Sequence, residues 1–339
     1  MDMVKHLLPQ VAQYYKANLH THSTISDGKL TPQELKEAYK SKGYSILSIT
    51  DHNVVADHSD LTDNSFLMLT GAEYNIDQTG GGYHRKTYHL NFIAKRPELL
   101  WQPFANPTYR EDVMPYINKA EIDDLPRIFD TDAVNAVIAR ANEKGHLVMY
   151  NHPIWSLNDY TDYCGLKGLW AMELCNYDSF YHDGFADQNN SMVYRDLVNL
   201  TGSIFPVGAD DAHSAAFFAG AWIMVGAEKL EYASVIEALE KGDFYASTGP
   251  EIYQVTWDGT YLDVDCSDAV RVSVECGNRY AFCERPVSND GLMRHAHIDI
   301  SWWTETVCKD RPNDWLRVIV HGPYGHYAST RAFHFRELK

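Results

Sequence analysis

Short apolar runs alternate with helix-like stretches through the first 250 residues of the chain. The apolar runs predict β-strands that are buried on both faces, as parallel strands usually are. They cover residues 16–20, 45–50, 66–69, 87–94, 146–150, 169–175 and 203–208. A capping box at 31–34 predicts a helix that ends at Gly43, and apolar periodicity predicts helices at 132–144, 190–200 and 232–241. Such alternation is typical of a barrel or a doubly wound sheet.

The pattern changes after Gly249. Short alternating or β-branched runs occur at 253–257, 261–266, 270–276, 297–303, 316–321 and 331–335, and Asp258-Gly259 and Gly277-Asn278 separate some of them. This spacing predicts a small antiparallel β-sandwich. We therefore expect two domains, residues 1–249 and a β-rich accessory domain at 250–339.

Residues 95–130 fit neither pattern. They contain five prolines and several aromatic residues, among them Trp101, Phe104 and Tyr109, with little periodicity. A long irregular insertion of this kind is often a lid or a wall of a substrate site. A surface excursion packed by its own aromatic residues is the alternative.

Composition limits the class of protein. The 339 residues are 45 % hydrophobic and 22 % charged, as in an ordinary globular protein, and no run approaches the roughly 18 apolar residues of a membrane span. No signal peptide is visible, and the six cysteines form no Cys-x-x-Cys pair, which favours reduced thiols, a cytoplasmic location and no thiolate zinc site. The net charge of −17 disfavours a long nucleic acid as partner but leaves small anionic substrates open. Oligomeric state is not indicated.

Histidines and carboxylates recur where predicted strands end. Two pairs have i, i+2 spacing, His20 with His22 and Asp211 with His213, so both side chains of a pair can point to one side of an extended segment. In βα barrels such strand ends meet at one face. Imidazole and carboxylate groups brought together there could hold divalent metals. The nine candidates are His20, His22, Asp27, His52, Glu73, His89, His152, Asp211 and His213.

Several of these residues also have an ordinary structural explanation. Asp27-Gly28 is a common turn, and Asp51-His52 could cap a helix. Glu73 could be half of a buried ion pair, and His89 a core histidine bonded to a carbonyl group. The recurrence of all nine at one end of the predicted strands favours the metal site.

The motifs resemble those of a known family. Four segments, His20-Thr21-His22, Thr50-Asp51-His52, Asn151-His152-Pro153 and Asp211-Ala212-His213, are similar in sequence and order to the signature motifs of the PHP (polymerase and histidinol phosphatase) metallohydrolases. The resemblance covers residues 15–249. Asp27 stands where the histidinol phosphatase branch usually has histidine, so that substrate is disfavoured. The segment 244–250, followed by a β domain, resembles the carbaryl hydrolase-type subgroup.

The resemblance implies an α/β fold, a distorted (β/α)7 barrel, with two or three divalent metals of Zn, Mn or Fe type. His20, His22, Glu73 and Asp211 would bind the first metal. Glu73 would bridge to a second metal held also by His89 and His152, and Asp27, His52 and His213 would bind a third. Glu73, Asp211 and His213 are the candidate catalytic residues. Asp51 would support a ligand histidine from outside the metal shell.

Two departures from the motifs add candidates. Asp210 precedes Asp211 and could compete for the ligand role, although the Asp-x-His spacing favours Asp211. Between Glu73 and His89 lies Gly80-Gly81-Gly82-Tyr83-His84-Arg85-Lys86, whose glycines and cations could bind an anionic group of a substrate. An ordinary hairpin tip is the alternative for this segment, with Arg85 and Lys86 in solvent.

Three functions remain open from the sequence. The first is a metal-dependent phosphoesterase that acts on a small phosphorylated molecule through a metal-bridging hydroxide. The second is a hydrolase of carbamate, ester or amide bonds that uses the same metals. The third is a non-catalytic, metal-stabilised binding module.

Overall fold

A computed structural model of the chain describes residues 4–105, 111–183, 187–288, 290–311 and 313–338. The first strands are β1 (Lys5–His6), β2 (Tyr15–Asn18), β3 (Ile46–Ile49), β4 (Leu67–Asp77), β5 (Thr87–Ala94), β6 (Trp101–Gln102), β7 (Glu121–Ile122), β8 (His146–Tyr150), β9 (Ala171–Asn176), β10 (Phe205–Ala209), β11 (Trp222–Val225) and β12 (Phe244–Ser247). They are followed by β13 (Ile252–Trp257), β14 (Tyr261–Ala269), β15 (Arg271–Cys276), β16 (Ala281–Glu284), β17 (Met293–Asp299), β18 (Trp315–His321), β19 (Tyr327–Thr330) and β20 (Phe333–His334). The α-helices are α1 (Pro32–Ser41), α2 (Met114–Ile117), α3 (Thr131–Lys144), α4 (Tyr160–Tyr163), α5 (Tyr177–Asp183), α6 (Ser191–Thr201), α7 (Tyr232–Lys241), α8 (Cys308–Asp310) and α9 (Phe335–Leu338). Tyr109 of the predicted insertion lies outside the described residues.

The helix ends follow the local sequence. At the start of α1, the Thr31 side chain accepts the Glu34 N–H and the Glu34 carboxylate accepts the Thr31 N–H, so the predicted capping box is present. Helix α3 begins after Asp130, whose carboxylate caps it, and ends at Gly145 with φ 95°, a left-handed conformation that favours glycine. Its apolar face is buried against the sheet, as the periodicity predicts.

Fourteen strands among the described residues form one mixed sheet. Its order is β10-β9-β8-β5-β4-β3-β2-β11-β12-β19-β18-β15-β16, and β20 pairs with β18. The pairs β10/β9, β9/β8, β4/β3 and β3/β2 are parallel, as predicted, but β5 runs antiparallel to both of its neighbours. The expectation of parallel strands is therefore wrong for β5, because a short tip joins it to β4 and a short tip can connect only antiparallel strands.

The sheet curls so that β10 lies close to β11. A Cβ atom built on Gly208 would lie 2.8 Å from the carbonyl oxygen of Trp222, so the two backbones are nearly in contact there. Glycine is needed at this approach because any side chain would meet the backbone of the other strand. This curvature brings the loops after β2 and β10 together.

A second sheet of described strands, in the order β1-β13-β14-β17, faces β15 and β18. Apolar side chains of both sheets share one core, for example Val255 and Val264 with Val274 and Val318. Strand β19 of this region pairs with β12, so the large sheet runs from the first 250 residues into the C-terminal ones. The division at residue 249 stays a prediction.

No helix among the described residues combines the length and the apolar character needed to span a membrane. The cytoplasmic location stays a prediction from the sequence.

Candidate metal centre

Hydrogen bonds between the segments that follow β2 and β10 bring His20 and His22 close to Asp211 and His213. After β2 and β10 the two segments of the chain continue side by side. The His22 N–H donates to the Ala212 carbonyl at 3.1 Å, and the Asp211 N–H donates to the His20 carbonyl at 2.9 Å. Asp211 has φ 54°, an uncommon conformation for a residue other than glycine, and such strain is typical of functional sites. The two residue pairs therefore lie at the same end of the strands in the curled sheet.

Glu73 lies within β4 and not beyond its end, because β4 continues to Asp77 and is longer than the predicted 66–69. Its backbone is hydrogen-bonded to the loop that follows β3. The Asn53 N–H donates to the Glu73 carbonyl at 2.7 Å, and the Glu73 N–H donates to the Asp51 carbonyl at 3.3 Å. This pairing holds His52 beside Glu73.

The Glu73 carboxylate is the centre of the cluster. It is fully buried, and five imidazoles surround it. Its Oε1 atom lies 2.9 Å from His89 Nδ1, 3.3 Å from His20 Nε2 and 3.3 Å from His152 Nε2, and its Oε2 atom lies 3.0 Å from His52 Nδ1 and 3.4 Å from His22 Nε2. A carboxylate shared in this way suits a ligand that bridges two metals.

All nine candidate ligands come together. Eight of them form three overlapping groups whose ligand atoms lie within 4.8 Å of one another: His20, His22, Glu73 and Asp211; His52, Glu73 and His89; and His22, Asp27, His52 and His213. The ninth, His152, has its Nε2 atom 3.3 Å from Glu73 and 3.7 Å from Asp211. Seven of the nine line a cavity of about 290 Å³, together with Trp155, Asp178 and Ser179, while His20 and His22 lie buried.

The donor set fits divalent metals. Two fully buried atoms at the centre, His22 Nδ1 and Glu73 Oε2, make no hydrogen bond of normal angle, although His52 Nδ1 lies 3.0 Å from Oε2 and buried polar atoms normally have a partner. A cation coordinated by these atoms would supply the missing interaction. Imidazole nitrogens with a minority of carboxylates are the ligands preferred by zinc, manganese and iron.

The electrostatics agree with this fit. Burial raises the pKa of Glu73, but the rings of His20 and His89 lower it more strongly together, so the pKa lies well below its usual value. Burial lowers the pKa of His20, yet Asp211 and Glu73 raise it well above the usual value. The carboxylates are thus ionised, and incoming metals would displace histidine protons.

Two carboxylates that support the cluster were missed by the sequence analysis. Glu173 Oε1 lies 2.6 Å from His20 Nδ1, and its Oε2 atom accepts the His152 N–H at 2.8 Å. Asp178 Oδ2 lies 2.8 Å from His213 Nδ1. Such contacts fix the orientation and basicity of ligand imidazoles. The signal for Glu173 was a single acidic residue inside an otherwise apolar predicted strand.

Asp51 does not contact a ligand histidine in the way the resemblance implies. Its carboxylate accepts the backbone N–H and the hydroxyl of both Ser23 and Ser26, at 2.7–3.1 Å. It therefore shapes the loop that carries Asp27, whose Oδ1 atom lies 3.6 Å from His213 Nε2. The physical reason is that the backbone N–H of the buried Ser23 cannot reach water and needs an acceptor within the protein.

Asp210 turns away from the cluster. It accepts the backbone N–H groups of 219–221 at 2.9–3.0 Å, and burial raises its pKa to about 6. Asp211, in contrast, lies 2.8 Å from His22 and 3.1 Å from His20. Of the two aspartates, Asp211 is the one in position to bind a metal.

Neither Arg85 nor Lys86 lines the cavity of the cluster. Lys86 Nζ pairs with Asp159 at 2.7 Å and Asp162 at 2.6 Å, and Arg85 is half-exposed with Asp77 at 3.7 Å. Gly80, Gly81 and Gly82 all have positive φ, as in a hairpin tip. A lysine held by two carboxylates is not free to clamp a phosphate, so the hairpin-tip interpretation describes this segment.

Gly28 shows why Asp27 can be both a turn residue and a ligand. A Cβ atom at Gly28 would lie 2.1 Å from the carbonyl oxygen of His22. Glycine thus lets the turn pack directly on the first histidine segment, which carries the Asp27 carboxylate to within 3.9 Å of His22 and 3.7 Å of His52.

Comparisons with known proteins give partial similarities. No protein-family model matches the chain. The chain is 30 % identical over 120 residues to a 5′-3′ exoribonuclease from Haemophilus influenzae; the match covers 34 % of this chain and 43 % of that relative.

Two solved structures align with the chain. One is a two-domain protein containing a predicted PHP-like metal-dependent phosphoesterase from Bacteroides vulgatus, with 13 % identity, a TM-score of 0.47 and coverage of 97 % of this chain and 98 % of that chain. The other is a lesion-specific endonuclease from Pyrococcus furiosus, with 15 % identity, a TM-score of 0.39 and coverage of 67 % and 56 %. The expectation against a long nucleic acid stays a prediction from the sequence. The chain thus aligns with a solved structure described as containing a predicted PHP-like metal-dependent phosphoesterase, and the cluster of histidine, glutamate and aspartate side chains predicted from its motifs is present.

Proposed function

We propose that the protein is a metal-dependent hydrolase, and specifically a phosphoesterase that acts on a small phosphorylated molecule. The observation that supports this most directly is the Glu73 carboxylate, buried among five imidazoles at the base of a cavity. We assign His20, His22, Glu73 and Asp211 to a first metal, Glu73, His89 and His152 to a second, and Asp27, His52 and His213 to a third. Zinc, manganese and iron suit these donors.

When bound, the metals would supply Lewis-acid charge and an activated water for attack on the phosphorus or carbonyl centre. The chain's own residues have separate tasks. The neighbouring histidines keep Glu73 and Asp211 ionised, so both carboxylates would be available to hold metals. His213 is held by Asp178 at the cavity wall, where it can contact the substrate end of the site. We expect these three, Glu73, Asp211 and His213, to be indispensable.

The proposal includes the scaffold. We propose a distorted (β/α)7 barrel over 1–249, a C-terminal β-sandwich over 250–339, and an insertion at 95–130 that acts as a lid or wall near the site, although none of its described residues lines the cavity. Val113 and Ile117 of the insertion pack against Ile25 and Val54, which flank the segments that carry Asp27 and His52. This contact supports a role of the insertion near the cavity.

A hydrolase of carbamate, ester or amide bonds is the second candidate. One observation favours it: among the described residues, the cavity lining includes no lysine or arginine. Without such a cation, charge on a phosphate would be neutralised by the metals alone, and a neutral substrate would need no further neutralisation.

The test is a substrate panel. Purified protein of measured metal content would be assayed with phosphomonoesters, phosphodiesters, carboxyl esters and carbamates, before and after chelation and metal return. Metal-dependent turnover of a phosphoester that is lost in Asp211→Asn supports the proposal. Turnover of carbamates or carboxyl esters alone supports the second candidate, and metal binding without any turnover supports a binding module.

A further inference from the structure

Trp155 lies on a turn that directly follows a candidate metal ligand. The Ser156 N–H donates to the His152 carbonyl at 3.1 Å, which closes the turn. The buried Asp187 carboxylate accepts the Ile154 N–H at 3.0 Å and the Trp155 N–H at 2.8 Å. The turn that carries Trp155 is therefore held by the Ser156–His152 bond and by Asp187, which keeps Trp155 next to His152.

The side chain of Trp155 forms part of the cavity wall and is still exposed. Its ring centroid lies 5.0 Å from that of His152 and 5.4 Å from that of His89. The residue is 45 % exposed and lines the cavity, whereas Ile154, which is 47 % exposed on the same turn, does not. Tryptophan offers a large flat apolar surface, and exposure of that surface beside a reactive centre is typical of a contact to a ligand.

The rest of the lining indicates what would cover this surface. Apart from Trp155, the lining side chains among the described residues are carboxylates, imidazoles and one serine, and none is aliphatic. The metal ligands would take the polar, reacting group of a substrate. The indole is left as the apolar contact for the part of the substrate next to that group.

We infer that Trp155 is a specificity-determining residue that stacks on a flat ring of the substrate, next to the bond that is cleaved. The substrate class is then a phosphoester that carries an aromatic or similar planar ring, and this inference rests on the proposed function. Stacking on an exposed aromatic side chain typically contributes about 1–3 kcal/mol in ligand binding. This corresponds to about fivefold or more in affinity.

Binding of two phosphonates tests the contact. Phenylphosphonate and methylphosphonate carry the same acidic group on a bond that hydrolysis does not cleave, and they differ in the ring. Their dissociation constants would be measured by calorimetry on metal-loaded wild-type protein and on Trp155→Ala, Trp155→Phe and the matched control Ile154→Ala. We expect wild-type protein to prefer phenylphosphonate by about fivefold or more. The preference should disappear in Trp155→Ala and persist in Trp155→Phe and Ile154→Ala.

The outcomes separate the ring contact from the proposed function. If both phosphonates bind but Trp155→Ala keeps the wild-type preference, or if Ile154→Ala loses as much as Trp155→Ala, the ring contact is overturned and the phosphoesterase proposal stands. If neither phosphonate binds the metal-loaded wild-type protein, the phosphoesterase proposal is overturned and the ring contact with it.

Discussion

Two regions of this protein use the same residue types at the same spacing and differ in almost everything else. One is the buried cluster around Glu73, which begins with His20 and His22. The other is a surface row on two paired strands: Asp263 and Asp265 lie on β14, and His295 and His297 lie on the neighbouring β17. Both contain i, i+2 pairs of histidine on an extended segment, so spacing alone does not distinguish them.

In the surface row, each histidine pairs with the carboxylate opposite it on β14, and Asp263 Oδ1 also lies 3.5 Å from His295 Nε2. His297 Nδ1 lies 2.7 Å from Asp263 Oδ1, and His295 Nδ1 lies 2.8 Å from Asp265 Oδ1. The histidine side chains are 51 % and 55 % exposed, so water satisfies their remaining atoms. These are cross-strand pairs of the ordinary kind, each contributing little to stability.

In the buried cluster, five imidazoles share the Glu73 carboxylate, and burial keeps water away from the polar atoms that lack a partner in the protein. His22 Nδ1 and Glu73 Oε2 stay without hydrogen bonds of normal angle although both residues are fully buried. The difference teaches that a metal site is marked by burial and by the sharing of one carboxylate among several imidazoles. Four predictions use this contrast.

The largest effect is expected for Glu73→Ala. Because Glu73 is proposed to bridge two metals, we expect loss of metal from the first two groups and a fall in kcat/KM of about 10³-fold or more, with the fold retained. Metal analysis, steady-state kinetics and circular dichroism measure these three quantities. The matched control is Asp265→Ala in the surface row, which should leave metal content and activity unchanged. Full activity of Glu73→Ala with its metals retained would remove the bridging role.

The second-largest effect is expected for Glu173→Gln. Glu173 holds His20 Nδ1 at 2.6 Å and is fully buried, so the neutral amide should weaken the orientation and basicity of that ligand. We expect metal affinity to fall by about 10–100-fold, measured by competition with a chelating dye. Asp263→Asn makes a comparable change beside the exposed His297 and should leave affinity unchanged. Equal affinities of wild-type protein and Glu173→Gln would show that this contact does not tune the site.

A smaller effect is expected for Asp27→Ala. Asp27 is 56 % exposed and contributes to the outermost group only. Its loss should lower the occupancy of one metal and leave the other two nearly unchanged, as measured by metal stoichiometry. Asp265→Ala, also at a half-exposed aspartate beside a histidine, is again the control. Unaltered stoichiometry in Asp27→Ala would leave Asp27 as a turn residue alone.

The sequence predicted the bounds of the strands near the cluster more accurately than the directions of those strands. Strands β5 and β8 have the predicted bounds, since both are rich in apolar and aromatic residues, although His89 and Asn91 interrupt β5. Apolar content carries no information about strand direction, so the antiparallel setting of β5 was missed. The four-residue strands Trp222–Val225 and Phe244–Ser247 were also missed, although β3 has the same length and was predicted.

In the C-terminal region the predicted strand 297–303 ends at Asp299, and Trp303–Val307 is helical. The indole N–H of Trp303 donates to Asp314 at 2.9 Å in a buried position, a long-range contact that local propensity does not encode. Most candidate ligands were easier to predict because they follow strand ends, although Glu73 and His89 lie within β4 and β5. Glu173 was harder, since its partner His20 is 153 residues away in the chain.

The smallest effect is expected in the surface row itself. The hydrogen bond from His297 to Asp263 raises the pKa of His297 above its usual value, because the carboxylate stabilises the charged imidazole. Asp263→Asn should therefore lower the pKa of His297 toward that of a free histidine, as followed by NMR titration of the ring protons. Metal content and kcat/KM should stay at wild-type values, because the residue lies on the exposed face of β14. If Asp263→Asn lost metal or activity, the surface row would be part of the functional site, and the contrast with the buried cluster would not hold.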